Sequence, residues 1–209
     1  MGVILQGILG GFSGKVGPVV GGKWKEIDYM RSYVIPSNPN TPAQQAVREK
    51  FSALVARGRE ILSVILNPFW DPFLSSMSGF NAWISQNYSL SDADGILNEN
   101  AVMSKGTLTA TPLLTAEYFT ATGAVAVTFS TILNGNQTDL DKVVLVALDE
   151  TNQTLYSEVL TNTRADGGGE TIIRTGLTAT AVIVYMFLFQ GTGSELKISD
   201  SVSMVCTAG

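Results

Sequence analysis

From Met103 onward the chain is rich in Thr and Val and has no segment with helical spacing, and this half most narrows what the molecule can be. Short apolar or alternating segments recur, predicting strands at 104–111, 117–121, 124–131, 142–149, 154–160, 170–176, 181–190 and 195–206. Asn134-Gly135, Glu150 to Asn152 and Gly167-Gly168-Gly169 punctuate them as turns. Seven or eight short strands in about a hundred residues predict an antiparallel immunoglobulin-like β-sandwich over residues 101–209. It would lack a disulfide, because Cys206 is the single cysteine. The run 181–189 is too short to span a membrane and reads as a buried strand.

The middle of the chain has a different period. Thr41 is placed as an N-cap, Pro42 as the first helical residue and Gln44 as the partner in a capping box. Val47, Phe51, Leu54, Val55, Gly58, Ile61, Leu62 and Ile65 follow at helical spacing, which predicts a helix over 42–66. Asn67-Pro68 ends it. Asp71-Pro72 is expected to open a second helix running to Asn87, with Phe73, Met77, Phe80, Trp83 and Ile84 along one side. Residues 35–100 are therefore expected to form a two-helix hairpin, giving an α+β chain.

Ahead of the helices, residues 1–34 form a Gly-rich arm and a β-hairpin. Glycine recurs from Gly2 to Gly22 among Val, Ile, Leu and Phe. Such a segment loses much backbone entropy on ordering and is expected to order only against a partner surface. Lys15 to Val20 and Lys23 to Val34 flank Gly21-Gly22, a two-residue hairpin signal, and Pro18 places the first arm at an edge. Ile27, Tyr29 and Tyr33 fall on alternate positions, as in a strand. The N-terminus lacks a basic leader and does not read as a signal peptide.

Charge and chemistry restrict function further. The 209 residues hold 13 Lys/Arg and 18 Asp/Glu, and the charged fraction of 15% falls well below the ~25% usual for globular domains. The first 60 residues carry eight basic groups against four acidic ones, and the rest carries five against fourteen. A positive head on a negative body suits packing between copies or contact with an acidic partner. The chain has no histidine, so Ser-His-Asp, Cys-His and His-ligated zinc chemistry are excluded.

Gly17-x-x-x-x-Gly22-Lys23 matches most of a phosphate-binding loop, but Trp24 stands where magnesium needs a Ser or Thr, and the following residues alternate as a strand. The glycines read instead as hairpin and close-packing residues. Asp92-Ala-Asp94-Gly95 lacks the later ligands of a calcium loop and reads as a polar loop at the helix ends. Asp139, Asp141, Asp149 and Glu150 lie beside turns, where Asp commonly bonds its own backbone. No catalytic residue, metal site or cofactor is assigned. Trp24, beside two lysines, is the one tryptophan expected at the surface.

Gly11-Phe-Ser-Gly-Lys-Val-Gly17, Trp24-Lys25, Tyr29-Met-Arg31-Ser, Asn38-Pro-x-Thr-Pro-x-Gln44-Gln45-x-x-Arg48, Ser78-Gly-Phe-Asn81-Ala and Ser104-Lys-Gly-x-Leu108 occur in one order. Together they resemble a family of roughly 200-residue proteins from Bacteroidota and their phages, known only as a domain of unknown function. The resemblance implies no activity and carries over no site residues; it points the setting toward a virion.

These observations lead to the expectation of a non-enzymatic structural protein of a phage particle: a capsid vertex or spike-base, head-decorating or tail subunit. It would assemble as a homo-oligomer and with other virion proteins. The candidate assembly residues are Phe12, Lys15, Val16, Trp24, Lys25, Tyr29 and Arg31. The alternative is a cell-surface adhesion or glycan-binding module that holds a host-surface glycan in its sandwich loops. Nucleic-acid binding ranks last, because the basic residues are interleaved with acids.

Overall fold

A computed structural model describes residues 2–3, 12–25, 27–164, 170–174 and 181–208. It combines helices with antiparallel strands in an α+β chain. Most of the expected N-terminal arm (4–11) and the turn at 167–169 lie outside the described residues. The chain has two compact units, residues 1–41 and 42–209.

The first unit is an antiparallel sheet of β1 (Gly2–Val3), β2 (Gly14–Val16), β3 (Val19–Trp24) and β4 (Ile27–Ser32), in the order β1-β4-β3-β2. Gly21-Gly22 is not the expected hairpin turn. Both residues sit inside β3, where Gly21 pairs with Gly14 on one side and Met30 on the other. The reason is close approach: a Cβ on Gly21 would lie 2.3 Å from the Phe12 carbonyl oxygen and 2.6 Å from its ring. The turns fall at Gly17, with φ +58°, and at Lys25, with φ +54°.

The second unit opens with α1 (Pro42–Glu60), one π-helical turn (Leu62–Leu66) and a three-residue α2 (Asn67–Phe69). The expected helix over 42–66 is therefore α1 plus that wider turn, in which the N–H groups of Ile65 and Leu66 both reach the Ile61 carbonyl. The second helix begins later than expected. Asp71–Phe73 forms a 3₁₀ turn, Leu74 is extended, and α3 spans Gly79–Tyr88 with Ser78 as its N-cap. Asp71 still serves the helix start, accepting from the Gly79 N–H at 2.5 Å. Phe73 and Met77 thus precede the helix and are exposed, while Trp83 and Ile84 are buried.

The strands form two sheets. In one, β8 (Leu155–Thr163), β7 (Lys142–Asp149) and β10 (Val182–Gln190) lie side by side, and β11 (Lys197–Ile198) and β12 (Val202–Val205) share the far edge of β10. In the other, the order is β13-β5-β6-β9, with β5 at Leu113–Phe119, β6 at Ala124–Phe129, β9 at Glu170–Arg174 and β13 at Thr207–Ala208. The expected strand 195–206 is thus broken. Ser199 turns aside to bond Leu188 by both backbone and side chain, and beyond Cys206 the chain leaves β10 and pairs parallel with β5.

β7 and β10 show why their sequences are apolar without alternation. Val144, Val146, Leu148, Ile183, Tyr185 and Phe187 belong to a core with the helical residues Leu54, Ile61, Ile65 and Trp83. The intervening Val143, Leu145, Ala147, Val182, Val184, Met186 and Leu188 belong to a second core with Tyr118, Val125, Val127 and Phe129 of the other sheet. A strand covered on both faces has no polar side, so its period of two is hidden. Phe69 bridges toward this sheet, its ring edge-on to Phe187 at 5.2 Å.

Residues 104–111 are not the expected strand. They make a single parallel bridge, Leu108 to Ser199. The Ser104 carbonyl accepts from the Ser201 N–H, and further along backbone groups meet side chains: the Thr109 N–H donates to Asn136 Oδ1, and Gln137 Nε2 donates to the Thr109 and Ala110 carbonyls. Side-chain amides take the place of a neighbouring strand. Among the described residues, no helix is long and apolar enough to cross a membrane.

Candidate functional site

The register of the first sheet sorts the candidate residues by face. Alternation along β2, β3 and β4 puts Lys15, Val20, Gly22, Trp24, Ile27, Tyr29 and Arg31 on one side. Val16, Val19, Gly21, Met30 and Ser32 take the other side, where Phe12 lies against Gly21. Of the seven candidates, Lys15, Trp24, Tyr29 and Arg31 share one face. Lys25 joins them at the rim in the β3–β4 turn, whereas Phe12 and Val16 belong to the opposite side.

The shared face has a definite chemistry. Tyr29 lies across its cross-strand partner Gly22, where a Cβ would come within 3.0 Å of the phenol oxygen, so glycine leaves the space the ring fills. Lys15 Nζ stands 3.7 Å from the centroid of the Tyr33 ring, and Lys25 Nζ 5.1 Å from that of Trp24. Trp24 is 63% exposed, Tyr33 46% and Ile27 47%. Lys15 and Arg31 are exposed, and among the described residues this face carries no Asp or Glu. Tyr33 and Ile27 were not among the candidates, although their alternation with Tyr29 was the signal that would have found them.

The phosphate-loop match dissolves at the level of secondary structure. Gly22 and Lys23 lie within β3 and lead into another strand, so no helix N-terminus faces them. Three aspartates of the second unit serve local backbone. Asp92 Oδ1 accepts from the N–H groups of Asp94 and Ile96, and buried Asp141 accepts from the N–H and hydroxyl of Thr138. Buried Asp149 Oδ1 accepts from the N–H groups of Thr151 and Asn152. Cys206 is half-buried, and burial pushes its thiol up to about 12, which keeps it protonated and unreactive near neutral pH.

Arg164 is a structural residue that no motif or spacing pointed to. Its side chain is buried, with Nη1 donating to Gln137 Oε1 at 2.8 Å and Nη2 donating to the Ser130 and Ile132 carbonyls. Burial lowers its pKa, opposed by Asp141 and Asp139. The residue fastens the loop between β6 and β7.

The model of a family of unknown function (DUF6266) matches residues 11–204. No curated protein and no solved structure matches the chain.

Proposed function

We propose that this chain, which belongs to that family of unknown function, is a non-enzymatic structural subunit of a bacteriophage virion, attached through the sheet of residues 1–34. The virion setting, and with it the home among Bacteroidota and their phages, rests on the motif resemblance. The part played in the particle, as capsid vertex, spike base, head decoration or tail subunit, is read in the same frame. In this reading the two sheets of the second unit close as an immunoglobulin-like sandwich. It is supported by the apolar cluster that joins residues of both sheets.

One observation carries the reading. A small sheet presents Trp24, Ile27, Tyr33, Lys15 and Arg31 together on an exposed face. Aromatic residues and arginine are the side chains that most often anchor interfaces, and a large apolar side chain gains about 1.5–3 kcal/mol on full burial. Four short strands cannot cover that face themselves.

The test is incorporation. Purified particles from cells expressing the wild-type chain should contain it. A soluble variant with Trp24→Asp and Tyr33→Asp should be missing from them. Entry of the variant at the wild-type level would defeat the proposal.

A further inference from the structure

Resting on the reading of residues 1–34 as the attachment sheet, we propose that its basic aromatic face docks on a second copy of this chain, at the acidic end formed by Asp94, Ile96, Glu99 and Glu150. The contact is head to tail: Lys15, Trp24, Lys25, Tyr29 and Arg31 of one copy meet the carboxylates of the next.

The charge distribution argues for a second copy. Residues 1–41 carry four Lys/Arg against two Asp/Glu, whereas residues 42–209 carry nine against sixteen. Each copy thus offers both halves of a complementary pair, which steers encounter and fixes register.

The acidic end is built as a fixed surface. The loop after α3 winds around Asp92, whose Oδ1 holds the N–H groups of Asp94 and Ile96 at 3.0 and 2.7 Å. It is tied to the β7–β8 turn by Gln153, whose Oε1 accepts from the Leu97 N–H and whose Nε2 donates to the Leu97 and Glu150 carbonyls. The Tyr185 hydroxyl donates to the Asn98 carbonyl and the Ser203 hydroxyl to that of Glu99. Asp94, Glu99 and Glu150 are exposed on this braced backbone, with Ile96 41% exposed among them. Burial raises the pKa of Tyr185 most, and the charges of Glu150 and Glu99 raise it further. The nearby cation, Lys50, is engaged with the Ser91 carbonyl at 3.1 Å and the Tyr88 ring.

A contact between two different surfaces of one chain closes as a reciprocal two-fold dimer or a ring, or runs on as a filament. The test is self-association of the full chain, followed by mass measurement over a concentration series. The wild type should self-associate, and less so as salt rises. The reversed sheet (K15E, K25E and R31E) and the reversed end (D94K, E99K and E150K) should each weaken association by about a hundredfold. An equimolar mixture of the two should recover it, since each then meets its complement. Recovery also shows that both variants are folded.

A wild type that stays monomeric overturns the inference. So does a reversed-end variant that associates like the wild type; the sheet would then still be the attachment surface, with its partner elsewhere. A reversed-sheet variant that associates normally also overturns the inference, whereas the proposed function fails only if the variant with Trp24→Asp and Tyr33→Asp enters particles at the wild-type level.

Discussion

Arg164 and Gln137 meet inside the strand-rich unit with Nη1 2.8 Å from Oε1, and both side chains are withdrawn from water. The same guanidinium holds the carbonyls of Ser130 and Ile132, while Gln137 Oε1 also accepts from the Asn134 N–H. One buried cation thereby fixes the loop from Ser130 to Asp141, and that loop in turn satisfies the backbone of residues 109 and 110. Replacing Arg164 by Ala leaves three acceptors short of a donor. The expected loss is about 3 kcal/mol, read as a lower urea midpoint with an unchanged slope. Arg164→Lys should recover only part of it, because a single ammonium cannot reproduce the planar fork.

Asn87 is fully buried on α3 and stitches the helix to the chain that leaves it. Its Oδ1 accepts from the Val102 N–H at 2.8 Å, and its Nδ2 donates to the carbonyls of Val102 and Trp83. Asn87→Ala should cost about 2 kcal/mol in thermal or urea unfolding, since both Val102 backbone groups lose their partner. Asn87→Leu, which keeps the volume but not the bonds, should not restore stability.

Gly106 passes so close to Ile198 that an added Cβ would come within 2.0 Å of a backbone oxygen. A side-chain tip could move away; a backbone held by β10 pairing cannot do so cheaply. Gly106→Ala should therefore destabilise by about 2 kcal/mol, although the substitution is mild and the site is exposed. Unchanged unfolding would show that the close approach is not required.

The Cys206 thiol has a raised pKa, so the folded state keeps it protonated when an exposed thiol would ionise. Burial lifts it from the ordinary thiol value of 9.0 to about 12. Its contribution to stability is intact below pH 9 and is lost progressively as pH rises through the folded value. At pH 9, iodoacetamide should alkylate the native protein more than about a hundredfold more slowly than the urea-unfolded chain, because only the thiolate reacts. Equal rates would show that the thiol is not shielded.

Trp24 should behave in the opposite way to these core positions. It is 63% exposed, so Trp24→Ser should shift the unfolding free energy by no more than about 0.5 kcal/mol. The same substitution should lower self-association of the full chain. A large loss of stability would instead mark the ring as structural.

Much of this architecture was legible in local sequence. The spacing from Leu54 to Ile65 placed the helical face that is buried, and the unbroken apolar run after Ala181 marked β10 as an interior strand. The same helical period also included Val47 and Phe51, which are exposed, because periodicity names a face without saying how far a neighbour extends along it. At the candidate site, alternation from Ile27 to Tyr33 was readable, while the place of Trp24 beside Ile27 across a turn and the separation of Phe12 and Val16 from the other candidates required the strand register.

What the sequence by itself determined was the kind and approximate position of each element, since turn chemistry, capping and apolar period act over a few residues. Tertiary structure alone decided the partners. It made residues 104–111 an extended segment held by amides from Asn136 and Gln137, set Gly21 and Gly22 inside a strand against Phe12 and Tyr29, and buried Arg164. Each of those outcomes depends on backbone or side-chain atoms brought from elsewhere in the fold, and local propensity carries no information about which distant group will arrive.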